Sequence, residues 1–115
     1  MKALGLLFLI VVVQGCVGTY GSLHLAVANE DQFAVKLLLE RDENVNAKNL
    51  SGWTPLMQAA FVGHVRITQM LLESGADPTL TNNYGQTALS IAKDQDNTLI
   101  VDLLQRYEAG KKTTH

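Results

Sequence analysis

A 33-residue period runs through this chain and leaves few folds open to it. Moved forward by 33 positions, Gly52, Thr54, Leu56, Ala59 and Leu71 fall on Gly85, Thr87, Leu89, Ala92 and Leu104 without a gap. Moved backward, Leu56, Ala59, Leu71, Leu72 and Glu73 fall on Leu23, Ala26, Leu38, Leu39 and Glu40. Three units therefore tile residues 20–109, at about 20–49, 50–82 and 83–109. Self-similarity at such a period marks an array in which each unit contacts only its neighbours.

The middle unit, Gly52 to Pro78, shows what is repeated. Thr54 can cap a helix with its hydroxyl, Pro55 suits the first helical position, and Leu56, Ala59 and Ala60 make one apolar stripe. Val62-Gly63-His64 breaks that helix. Val65, Ile67, Met70, Leu71 and Leu72 form a second apolar face, and Gly75 suits a helix end with φ above zero. Helices this short are marginal in water below roughly 12 to 15 residues, so the unit needs stacked copies of itself.

GWTPLMQAA followed by GHVRITQMLLESGADP resembles the ankyrin repeat, whose usual pattern has Gly-x-Thr-Pro-Leu-His at the first helix and Gly-His before the second. The flanking units match more loosely, through GSLHLAVA and LLLERDENVNA before it and GQTALSIA and IVDLLQR after it. The resemblance covers about three quarters of the chain. It implies an all-α solenoid of three helix-turn-helix units, with short β-hairpin fingers at residues 44–52 and 78–85.

In the first unit Thr19 stands where Gly52 and Gly85 stand, which suits an N-terminal cap. Leu23, Ala26 and Val27, with Phe33, Ala34, Leu37 and Leu38, are expected to give its two apolar faces. Asn29 to Gln32 form a polar connection with no glycine. Lys36, Glu40, Arg41, Asp42 and Glu43 read as a solvated face. The third unit runs from Thr87 to Arg106, and Gln105, Arg106, Lys111 and Lys112 stand where a further repeat would require apolar residues, as in a C-terminal cap. Residues 110–115 read as a frayed tail. Met57 and Ser90 occupy the usual histidine position and Ala88 that of the proline, changes expected to remove local hydrogen bonds or rigidity.

Residues 1–15 are of another kind: Lys2, the apolar run Ala3 to Val13, then Gln14-Gly15. Eleven apolar residues suit the core of a secretory signal peptide, whereas a spanning helix needs about 20. A buried core helix fits less well, because the run has no polar face and lies outside the 33-residue register. Val13-Gln14-Gly15-Cys16 resembles the lipobox of bacterial lipoproteins, in which the cysteine is lipidated and becomes the new N-terminus. Gln14 departs from that pattern, which usually has a small residue there, and ordinary cleavage between Gly15 and Thr19 is the other option. Cys16 is the only cysteine, so no intramolecular disulfide can form. Residues 16–19 would then be a short linker to the repeats.

With 115 residues, 47% apolar and 17% charged, the chain has room for one small globular domain. Nine Lys and Arg against 11 Asp and Glu leave a charge of −2 with no basic stripe, which argues against nucleic acid. His24 and His64 differ in repeat position and have no Cys, Asp or Glu at metal-ligand spacing. His64 follows Gly63, where the resemblance implies a ring bonded to loop backbone. Ser22, Ser51 and Ser90 lack the context of a nucleophile, and no phosphate-binding glycine loop is present. No catalytic site, cofactor or metal is expected.

What remains for function is surface, and the expected partner is another protein, met by a monomer that touches a membrane only through a lipid on Cys16. The positions that vary among ankyrin repeats and face partners are, by the resemblance, Lys48, Leu50, Ser51, Trp53, Phe61 and Val62 in one repeat, and Thr81, Asn83, Tyr84, Gln86, Asp94 and Gln95 in the next. Trp53, Phe61, Tyr84 and Leu50 are large apolar groups at register positions expected to be exposed, which suits a binding cluster. Packing of Trp53 on Tyr84, one repeat apart, is the alternative.

Overall fold

The computed structural model describes the backbone of residues 21–113 and the side chains of residues 23–110. The signal segment, Cys16 and Thr19 lie outside the described residues. Six helices follow in pairs: α1 (Gly21–Ala28) and α2 (Gln32–Glu40), α3 (Pro55–Val62) and α4 (Val65–Glu73), α5 (Ala88–Asp94) and α6 (Thr98–Thr113). Within each pair the helices pack on each other, while α1, α3 and α5 stack as one row and α2, α4 and α6 as another. The fold is all-α, as expected.

Register decides what is buried. Ala26, Ala59 and Ala92 occupy one column between the rows, where a small side chain lets neighbouring helices approach closely. Leu23, Val27 and Val35 from the first pair, Leu56, Met57, Ile67, Leu71 and Leu72 from the second, and Ile91, Ile100 and Leu104 from the third complete one continuous core. A buried Leu or Ile contributes roughly 1.5 to 3 kcal/mol. No single pair carries enough of them to fold alone, so each pair's stability depends on its neighbours.

Helix starts and stops recur at the same period. Thr54 and Thr87 cap α3 and α5, their hydroxyls accepting from the amides of Met57 and Ser90, each at 3.2 Å. Asp31 and His64 cap α2 and α4 from equivalent positions: Asp31 Oδ1 accepts from Ala34 N at 3.1 Å and His64 Nδ1 from Ile67 N at 3.2 Å. The connection between paired helices closes through Asp31 N, His64 N and Asn97 N, which donate to the carbonyls of the three column alanines, Ala26, Ala59 and Ala92. Every positive φ among the described residues falls in one of three columns: Glu30, Gly63 and Asp96; Asp42 and Gly75; Gly52 and Gly85.

Several sequence expectations need correction. Phe33 and Leu37 are not core residues, being 72% and 40% exposed. The buried side of α2 is Val35 with Leu38 and Leu39 beside it, while Phe33 and Leu37 stand at the register of Arg66 and Met70 on a side that no described helix covers. The fingers contain no strand among the described residues, since they are too short for a ladder and close instead through turn and side-chain bonds. Ser90 does not remove a hydrogen bond: its Oγ accepts from Thr87 N at 3.0 Å and completes a capping box with Thr87. α6 does not stop near Arg106 but continues through Gly110 to Thr113, since a lone glycine costs a helix only about 1 kcal/mol. His64 bonds the first turn of its own helix rather than loop backbone.

Glu30 and Asp96 hold left-handed backbone at φ 56° and 57° without being glycine, which costs on the order of 1 kcal/mol or more. Glu30→Gly and Asp96→Gly should each raise stability by up to about 1 kcal/mol, seen as a higher urea midpoint at unchanged slope. An unchanged or lowered midpoint would mean that these turns store no strain.

Gly52 and Gly85 share a φ near 80° but differ in surroundings: a Cβ on Gly52 would lie 2.6 Å from Asn83 Oδ1 and 2.8 Å from Asn83 N, while one on Gly85 would meet nothing within 4 Å. Gly85→Ala should therefore cost about 1 to 2 kcal/mol of backbone strain. Gly52→Ala should cost clearly more, because it also forces two fingers apart. Equal losses would show that the finger contact yields.

Candidate protein-binding face

The fingers are shaped by two asparagines 33 residues apart. Asn49 Oδ1 accepts from the amides of Ser51 and Trp53 at 2.9 and 3.0 Å, and Asn82 Oδ1 accepts from those of Tyr84 and Gln86 at 2.8 and 3.0 Å. Asn49 N donates to Trp53 O, and Asn82 N to Gln86 O, each at 3.0 Å. Each side chain thus satisfies two turn amides that a hairpin ladder would otherwise have to bond.

Three bonds join one finger to the next. Asn83 N donates to Ser51 O at 3.0 Å, Asn83 Nδ2 to Leu50 O at 3.0 Å, and Lys48 Nζ to Thr81 O at 2.8 Å. His24, buried in α1, reaches the Trp53 carbonyl through Nε2 at 2.7 Å. Across the array Asn97 Nδ2 donates to Ala60 O at 2.7 Å, beside the turn at Gly63. The candidate surface therefore rests on backbone held by its neighbours.

On this frame Leu50 stands 81% exposed and Tyr84 75% exposed. Phe61, near the end of α3, is 46% exposed and meets Trp53 edge to face, with ring centroids 5.7 Å apart and planes at 81°. Such a pair adds about 0.5 to 1.5 kcal/mol beyond its buried area, so its geometry is fixed in advance of any partner. Trp53 is half-buried against the core rather than exposed, and its ring partner is Phe61, not Tyr84.

Of the remaining positions, Ser51, Thr81, Asn83, Asp94, Gln95 and Lys48 are exposed, and Val62 and Gln86 are half-buried. Lys48 and Asn83 spend polar groups on the neighbouring finger, and Gln86 Oε1 accepts from Asn82 Nδ2 at 2.9 Å, so these three also position backbone. Asn49, Asn82 and His24 were not singled out from the sequence as positioning residues. Their signal was available: Asn49 and Asn82 occupy one register position. Among the described residues no three His, Cys, Asp or Glu side chains converge on a metal-sized site, and no helix is long and apolar enough to cross a membrane.

Comparison with known proteins agrees with this architecture. The family of ankyrin repeats in three copies matches residues 22–115. YahD of Escherichia coli K12, named for its ankyrin repeats, is 38% identical over 97 residues, covering 77% of this chain and 48% of its own length. An ankyrin repeat and LEM domain-containing protein 1 homolog of Caenorhabditis elegans is 47% identical over 75 residues, 65% of this chain and 10% of that protein. The human NAD-capped RNA hydrolase NUDT12 is 38% identical over 90 residues, 77% of this chain and 20% of the hydrolase. The chain thus spans about half of YahD and a fifth or less of the other two. Its period, its capped helix pairs and these matches make it a member of the ankyrin repeat family, whose stacked repeats serve as protein-interaction modules.

Proposed function

We propose that this chain is a non-catalytic binding module of a bacterial cell envelope, exported by its N-terminal segment, held by a lipid on Cys16, and engaging one protein partner through its fingers and first helices. The observation that carries the binding site is the Trp53–Phe61 pair, flanked by exposed Leu50 and Tyr84 on cross-tied fingers. Rigid aromatic anchors dominate interface energies because they bury much area with little side-chain entropy to lose. The absence of catalysis is supported by how the polar groups are used: His24 holds the Trp53 carbonyl, His64 caps α4, and Ser90 caps α5. Export and lipidation are supported by the apolar run Ala3 to Val13 and the lipobox-like Val13 to Cys16. The partner is either one enzyme or toxin that the module regulates or a component of a larger assembly that it scaffolds.

Against the envelope protein that co-purifies with the wild-type chain, Phe61→Ala and Tyr84→Ala should each weaken binding by about 2 kcal/mol, roughly thirty-fold, with little change in melting temperature. Trp53→Ala should lower both affinity and melting temperature, because its ring is also part of the core edge. Arg66→Ala on α4 should leave both nearly unchanged. Loss of affinity from Arg66→Ala with Phe61→Ala silent would place the site on the other face.

Intact-mass measurement of the native protein should find a chain beginning at Cys16 with added acyl mass. Cys16→Ser should release it from membranes. A native chain retaining Met1 would exclude export by cleavage.

A further inference from the structure

The second-helix row is exposed differently at its two ends, and the difference follows the repeat. In the groove between α2 and α4, Arg66 and Met70 line the α4 side; in the groove between α4 and α6, Leu99 and Leu103 line the α6 side. Phe33 and Leu37 are their equivalents on α2, 33 and 66 residues earlier. They therefore point along the stack toward the side from which the chain enters α1, where no described helix precedes them. This is why Phe33 is 72% exposed and Leu37 40%, and Arg41, four residues further on, continues the same stripe with a cation.

We infer that this open end of the solenoid, Phe33 and Leu37 with Arg41 beside them, is a lipid contact that seats the domain end-on against the membrane. The inference rests on the reading of Cys16 as the lipid-bearing residue. Cys16 and Gly21 are five Cα–Cα steps apart, with four residues between them, so the anchor holds the start of α1 within about 17 Å of the bilayer. α2 runs antiparallel to α1 across a three-residue connection, which brings the Arg41 end of the stripe beside the start of α1, nearest the anchor. Phe and Leu inserted at the headgroup boundary, with the Arg41 stem lying along it and its charge on phosphate, is the chemistry of an interfacial face. This seating leaves the fingers, with Leu50 and Tyr84, free for a protein partner.

The test uses the processed full chain reconstituted into vesicles of phosphatidylethanolamine with a minority of phosphatidylglycerol, with Trp53→Phe as the background. Phe33→Trp should shift its emission to the blue on reconstitution and lose most of it when the lipids carry bromine near the headgroup. Leu50→Trp, on a finger, should do neither. In the unacylated Cys16→Ser chain, residual partitioning onto the same vesicles should fall about tenfold or more on Phe33→Ser, the loss expected for one large apolar side chain. An acylated chain in which the Phe33→Trp emission stays unshifted and unquenched would overturn the end-on seating and leave the anchor standing. A native mass without acyl groups would remove both. Burial of Phe33 in a detergent-free dimer that Phe33→Ser dissolves, seen by sedimentation velocity, would assign the end to a second copy and overturn the lipid contact.

Discussion

Contact between adjacent helix pairs is the interaction on which everything else here depends. A pair of eight- and nine-residue helices cannot offset the entropy of its own ordering. Each pair becomes stable when the alanine column lets the next approach and the leucines and isoleucines of both close over the gap. Turn conformations, caps and cross-repeat bonds all serve that approach, which is why they share its period. The strain accepted at Glu30 and Asp96 is intelligible in the same way: the turn must have one shape in every repeat, whether or not the residue there favours it.

The period, the helix pairs and most of the core were legible in the sequence because they depend on side-chain type at fixed spacing, and Leu71 or Ala59 can be placed from spacing alone. What was not legible depends on which neighbour covers a face and on bonds to backbone. Phe33 and Leu37 have the composition of core residues, but they stand at the register of Arg66 and Met70, on a side of α2 that no described helix covers. Ser90 suggests a loss because the histidine it replaces is the usual residue. Its hydroxyl reaches Thr87 N, which a list of substitutions does not reveal.

The candidate face was partly legible for a related reason. Leu50, Tyr84 and Phe61 stand where the register put them, since a finger tip or the end of a first helix leaves a side chain few directions. Trp53 differs because its ring is large enough to bridge the finger and the helix end, and the edge-to-face contact with Phe61 holds it half under the surface. Register points Lys48 and Asn83 toward a partner, yet each also binds the neighbouring finger. The same exposed residue can therefore fix the frame of the surface it belongs to.

The bonds between fingers have a consequence for how such a chain can change over time. Asn83 and the Ser51 and Leu50 carbonyls, like Lys48 and Thr81, meet because donor and acceptor lie about one repeat apart in sequence. A single-residue insertion or deletion between them would displace all three pairings together and shift every later turn out of its column. A gain of one complete unit would leave each donor opposite an equivalent acceptor. Length in this chain is therefore heritable in steps of a repeat, and growth by duplication of whole units is the course its hydrogen bonds permit.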